Sequence, residues 1–122
     1  MPIRIIGGGI IGLSVAHYLS ARCSDQIVVY EIDRAYERAS FARSCGGGRA
    51  QFSTPANVAM SRYSIDFIKT QTDVQMTGNG YLLLFDESRR PDHDHSLELQ
   101  RSLGASIESL SPAELSTLFP FL

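Results

Sequence analysis

Two hydrophobic periods follow one another along the chain. Residues 3–6, Ile-Arg-Ile-Ile, form a short β-rich run that stops abruptly at Gly7, Gly8 and Gly9. A buried parallel strand meeting a tight turn reads in this way. From Ile10 to about Ala21 the small and apolar residues Leu13, Val15, Ala16 and Leu19 recur at helical spacing without a proline, which predicts a helix. Ser24, Asp25 and Gln26 then supply a polar turn, and residues 27–30, Ile-Val-Val-Tyr, form a second apolar β-type run that ends at Glu31. The opening third is therefore expected to be a βαβ unit.

The pattern loosens afterwards. Residues 33–43 are polar, with Arg34, Arg38 and Arg43 interleaved with Glu37, and should be a solvated loop or a short helix. Gly46, Gly47 and Gly48 disfavour a regular helix, because glycine loses the most backbone freedom on ordering. Thr54 followed by Pro55 is a helix start, and the helix should reach roughly Thr72 with Val58, Ile65, Phe67 and Ile68 on its apolar face. Residues 77–80 read as a turn and residues 81–85, Tyr-Leu-Leu-Leu-Phe, as a third strand. Residues 89–94 read as loop, 96–103 as a helix closed by Gly104, and 107–110 as a short strand. Ser111, Pro112 and Glu114 repeat the helix-start chemistry in the form of a capping box. The expected organisation is a cofactor-binding βαβ unit with a glycine-rich loop over 1–53, a long helix over 54–79, and the first elements of a further domain over 80–122.

Composition narrows the function classes. A net charge of −2 with 43% hydrophobic residues describes a globular chain without the basic footprint of a nucleic-acid binder. The apolar run over residues 5–15 is too short, and too rich in glycine, to cross a membrane or to serve as a secretory leader. With Cys23 and Cys45 expected to be free thiols, the reading is an intracellular, cytoplasmic protein. The apolar ending Phe119-Pro120-Phe121-Leu122 is unlike a frayed terminus, so these residues are expected to open a longer chain.

The chemistry lies in Gly7-x-Gly9-x-x-Gly12. It follows a strand, opens a helix, and is followed about twenty residues later by an acid at the end of a second strand, Glu31. Gly7 permits the sharp exit, and Gly9 leaves room for a pyrophosphate against the backbone N–H groups of Ile10, Ile11 and Gly12. These have no partner within the helix and sit at its positive end. Gly12 lets the helix lie against the strands, and Glu31 is placed to accept from the adenosine ribose hydroxyls. A negative charge there disfavours a 2′-phosphate, leaving FAD or NAD rather than NADP.

The stretch Ser44-Cys45-Gly46-Gly47-Gly48-Arg49, followed by Gln51-Phe52-Ser53-Thr54-Pro55, resembles the FAD-dependent D-amino-acid oxidase superfamily, in its glycine and sarcosine oxidase, D-amino-acid dehydrogenase and dimethylglycine dehydrogenase-like branch. The Gly-Tyr-Leu run at 80–82 and Leu-Ser-Pro-Ala-Glu-Leu at 110–115 extend the resemblance over almost the whole chain. It implies an α/β, Rossmann-like FAD-binding βαβ unit followed by the beginning of an α+β substrate domain. It also implies that Gly7, Gly9, Gly12 and Glu31 hold the ADP part of FAD, while Ser44, Cys45, Gly46, Gly47, Gly48 and Arg49 approach the flavin. Cys45 departs from the small residue usual there, and stands as a small hydrophobe, a reactive thiol or a tether to flavin.

The implied activity is oxidation of a C–N bond in an amino acid or secondary amine, with hydride passing to the flavin, which carries the chemistry. The family's substrate groups come mostly from beyond residue 122, so no catalytic base is assigned. The competing readings are a non-catalytic nucleotide-binding remnant, completed by a partner subunit if the chain is naturally this short, and an NAD-dependent dehydrogenase. His93 and His95 in Asp-His-Asp-His suit a solvated helix start better than a metal site, and no metal is expected. His17 is expected to be structural or exposed.

Overall fold

A computed structural model describes all 122 residues. They divide into two compact units, Met1–Gly47 and Gly48–Leu122.

The first unit is built on β1 (Ile3–Ile6), α1 (Ile10–Ser20) and β2 (Ile27–Tyr30). The strands pair in parallel, Ile3 with Ile27 through Ile6 with Tyr30, and the ladder is extended where the Gly7 N–H donates to the Tyr30 carbonyl at 2.8 Å. The helix crosses between them, as a parallel pair requires. The expected βαβ unit is therefore present with the expected bounds. The burial expected of β1 holds for one face only: Ile3 and Ile5 are partly covered, whereas Ile6 is 92% exposed. A two-stranded sheet with one helix packed on it covers a single face. Residues 33–43 are a run of turns, tied at their start by the Asp33 carboxylate, which accepts from the N–H groups of Ala35 and Arg38.

The second unit is helical. α2 (Pro55–Lys69) starts at Thr54 with proline in its first turn, although the Thr54 hydroxyl makes no capping bond, and it ends slightly before the expected Thr72. Val58 on its inner face is fully buried. A 3-10 turn (Glu87–Arg89) leads into α3 (Arg90–Ser102), and α4 (Pro112–Leu118) follows. Residues 89–94, expected as loop, are instead the end of that turn and the first turn of α3. The Asp86 carboxylate caps the turn by accepting from the Ser88 N–H, and Pro91 falls in the first helical turn, where its missing N–H costs nothing. This places Asp-His-Asp-His on a helix.

Residues 81–85 and 107–110, expected as strands, are not in a sheet. Their β propensity is real, but a strand is defined by its ladder, and nothing in the second unit offers them an edge.

At the end of α3 the sequence reading holds in detail. Gly104 has φ of +76°, its N–H donates to the Arg101 carbonyl, and the Ala105 N–H donates to Gln100, which is a Schellman closure. The Arg62 guanidinium on α2 donates to the Leu103 carbonyl and lies where a side chain at 104 would project. α2 and α3 are joined there. At α4 the capping box is complete: the Ser111 hydroxyl accepts from the Glu114 N–H, while the Glu114 carboxylate accepts from the Ser111 N–H at 2.8 Å.

Candidate functional site

In the first unit the turn from β1 into α1 brings Gly7, Gly9, Ile10, Ile11, Gly12 and Glu31 together. The chain leaves β1 through Gly7 at φ of +98°, a conformation that side chains with a Cβ rarely adopt. Gly12 is required by packing, since a Cβ there would stand 1.9 Å from the Gly7 carbonyl oxygen and 3.3 Å from Ile5. Gly9 differs from both. Its φ of −68° suits any residue, and a Cβ built on it meets no atom of the protein within 4 Å.

The start of α1 is electrostatically unanswered by its own chain. Gly9 at the N-cap offers no side chain, the first turn carries no acid, and the first bond within the helix runs from the Leu13 N–H to the Gly9 carbonyl. The N–H groups of Ile10, Ile11 and Gly12 precede that bond, so the partial positive charge of the helix is directed outward over Gly9. α4 shows that this sequence can build a complete cap elsewhere.

Glu31, at the end of β2, is half-buried. Its carboxylate accepts from the Gly8 N–H at 2.6 Å and from the Asp33 N–H at 2.9 Å, one bond to each oxygen. A carboxylate offers about four lone-pair sites. Each oxygen therefore keeps capacity for one hydroxyl of a vicinal pair while the backbone bonds fix its orientation. Those bonds, that from Asp33 first and that from Gly8 second, hold the Glu31 carboxyl below its ordinary value. It is thus a carboxylate at neutral pH.

Two residues here were not singled out by spacing. Gly8 is buried, and a Cβ on it would lie 3.1 Å from Glu31 and from the Tyr36 hydroxyl, so this glycine makes room for the acid. Tyr36 takes a left-handed backbone conformation, φ of 57°, and its ring meets Phe41 edge-on at 5.6 Å. The uninterrupted Gly7-Gly8-Gly9 run was the available signal for Gly8; no local sequence feature marked Tyr36.

The second block of predicted residues runs across the boundary between the two units, and each part has its own surroundings within its unit. In the first unit Ser44, Cys45, Gly46 and Gly47 are exposed, and the Ser44 hydroxyl is turned into its own loop, donating to the Phe41 carbonyl and accepting from the Gly46 N–H. Gly46 has φ of +65°, and Cys45 and Cys23 are free thiols. In the second unit Gly48 lies beside Ile65 and Met76, and the Arg49 guanidinium rests over the Phe52 ring at 5.2 Å. That places a planar cation on an aromatic face rather than in a salt bridge.

His93 sits against Phe85, with Nδ1 at 3.3 Å from Asp94, and no three ligating side chains converge there or elsewhere. His17 is exposed on α1, edge-on to Tyr18. No helix is long and apolar enough to cross a membrane.

Comparison with known proteins identifies the family of the chain. Residues 3–122 match the family described as FAD dependent oxidoreductase. Among curated proteins, FAD-dependent oxidoreductase domain-containing protein 1 of Bos taurus is 36% identical, the match covering 98% of this chain and 28% of the relative. The Mus musculus protein of the same name is 37% identical with 28% covered, and the Drosophila melanogaster homolog 35% identical with 25% covered. The chain thus spans about a quarter of the length of the curated relatives it matches. No solved structure matches it significantly.

Proposed function

The chain belongs to the FAD dependent oxidoreductase family, and from that premise we propose that its first unit holds the ADP part of FAD in an enzyme that oxidises the C–N bond of an amino acid or secondary amine. Ile10, Ile11 and Gly12 offer backbone N–H groups to the pyrophosphate, Gly9 keeps the approach clear, and Glu31 takes the ribose hydroxyls. Ser44 to Arg49 are assigned to the flavin end, and the residues from 80 onward to the opening of an α+β substrate domain. When bound, the flavin supplies the oxidising power of the reaction, as acceptor of hydride from the carbon next to nitrogen. The residues here bind, orient and tune.

The observation that carries this reading is Gly9. Gly7 is demanded by its backbone and Gly12 by packing, but neither the backbone nor any neighbour of Gly9 demands a glycine. What fits is an anion brought against the helix start, where a side chain would obstruct it.

Gly9→Ser separates the two requirements. Serine is at least as good an N-cap as glycine, so the melting midpoint should hold or rise. FAD affinity, followed by quenching of flavin fluorescence, should fall by roughly a hundredfold, since the new side chain occupies the pyrophosphate's approach. Gly12→Ala should lose both, with a stability cost of about 1–3 kcal/mol or more from the collision with Gly7. A Gly9→Ser chain that binds FAD as well as the wild type would remove the pyrophosphate from this turn.

A further inference from the structure

The second unit has one buried polar side chain, Gln100, at 7% exposure near the end of α3. Its position is locked from behind, because its backbone carbonyl accepts the Ala105 N–H of the Schellman closure at 2.9 Å. Its side-chain amide donates not to its own helix but to the carbonyl of Phe52, 48 residues away, at 2.9 Å.

An amide in so small a core is costly unless it is paired, and a leucine would fill the space at lower cost. What the amide adds is a fixed point for a segment that has no ladder of its own. Residues 50–53 are irregular, held otherwise by a turn from the Phe52 N–H to the Ala50 carbonyl and by the Gln51 amide on the Tyr81 carbonyl at 3.3 Å. Phe52 is the residue whose ring carries the Arg49 guanidinium.

We propose that Gln100 is a positioning residue for Arg49: by holding the Phe52 carbonyl it fixes the ring on which the guanidinium rests, and so sets where that cation is presented. This rests on the reading above that Arg49 serves the flavin end of the site. A planar, permanently charged group is useful to a delocalised or carboxylate partner only if its plane is held.

The test uses the whole chain with Gln100→Met and Gln100→Glu, which keep the length of the side chain but lose the donor, together with Arg49→Met and the double variant Gln100→Met with Arg49→Met. The first readout needs no flavin. Over the Phe52 ring the Arg49 Nε–H proton resonance should be shifted upfield by the ring current, and it should return to its ordinary position in both Gln100 variants while the helical circular dichroism is retained. The second is titration with FAD. Arg49→Met should weaken binding roughly tenfold, as loss of a charged contact does; Gln100→Met should cost a similar factor, and the double variant no more than either alone.

An Arg49 resonance unmoved in the Gln100 variants overturns the proposal, as do additive losses in the double variant. If both Gln100 variants lose the helical signal, Gln100 is a core residue and the proposal also falls. If Arg49→Met binds FAD unchanged, the assignment of Arg49 to the flavin end is what fails, whatever its resonance does.

Discussion

Glu31 concentrates the residue-scale argument, because one side chain does structural and binding work through the same oxygens. Its two backbone bonds, from Asp33 and Gly8, favour the ionised form and depress its pKa from the usual value of 4.5. A group depressed on folding contributes stability that is present above its unfolded value and is lost as pH falls through the folded value. Asp86, Glu87 and Glu114 are held down in the same direction by local bonds, so the acid limb of the wild-type stability curve has several owners. Glu31→Gln should remove one of them. Its melting midpoint should lie below the wild type at neutral pH and converge with it in acid, as pH falls below the ordinary carboxylate range and through the depressed folded value of Glu31. FAD affinity at neutral pH should drop roughly tenfold to a hundredfold, the size expected for lost hydrogen bonds to a charged acceptor. Parallel midpoint curves would show that the backbone bonds of Glu31 carry no folding energy. An unchanged affinity would take the ribose away from it. The acid itself was legible from its place after the second apolar run. Its bond to Gly8 was not, because that contact depends on how the turn folds back over 23 residues.

At the scale of elements, what could be read was what is decided locally. The βαβ bounds, the proline-led start of α2, the capping box of α4 and the glycine closing α3 each depend on a few adjacent residues, and each is present. What misled was β propensity without a neighbour, in residues 81–85 and 107–110, and a cap written in unfamiliar letters, the Asp86 turn that lengthens α3 backward. The unit boundary was equally illegible. Gly46, Gly47, Gly48 and Arg49 are contiguous in sequence, but nothing local says that a unit boundary falls between Gly47 and Gly48. Gly104 shows how much one local choice carries, since it answers both a backbone at φ of +76° and the approach of the Arg62 Nη1 to 2.7 Å from where a Cβ would stand. Gly104→Ala should cost at least the 1–2 kcal/mol or so of a left-handed residue and should free Arg62 from the Leu103 carbonyl. Gly78, with open space around it, is the control: Gly78→Ala should be neutral or stabilising by up to about 1 kcal/mol. Equal midpoints for the two variants in a thermal melt would mean that the α2–α3 junction contributes nothing.

On the scale of the molecule, the side chains that look built for a core mostly lack one. Val58 is the one large side chain fully removed from solvent, joined by Leu97 and Ala105, whereas Ile6, Ile11 and Ile32 are 92%, 78% and 101% exposed. Hydrophobic burial is the main force that makes unfolding cooperative, and the slope of stability against denaturant follows the area that unfolding exposes. The 122-residue chain should therefore bind the dye ANS before any denaturant is added and unfold in urea with a slope below the roughly 1–3 kcal/mol/M of small domains. FAD offers a separate route to stability, because a ligand that binds only the folded state adds about 2.7 kcal/mol at a hundredfold excess over its Kd. Most of that gain should fall on the first unit, where the turn, α1 and Glu31 lie. Amide exchange in β1, α1 and β2 should slow most on adding FAD, with a smaller slowing in α3 carried through Gln100, Phe52 and Arg49, while α4 exchanges as before. Slowing spread evenly over both units would mean that they open as one; no slowing at saturating FAD would mean that the glycine turn does not hold the cofactor in this chain.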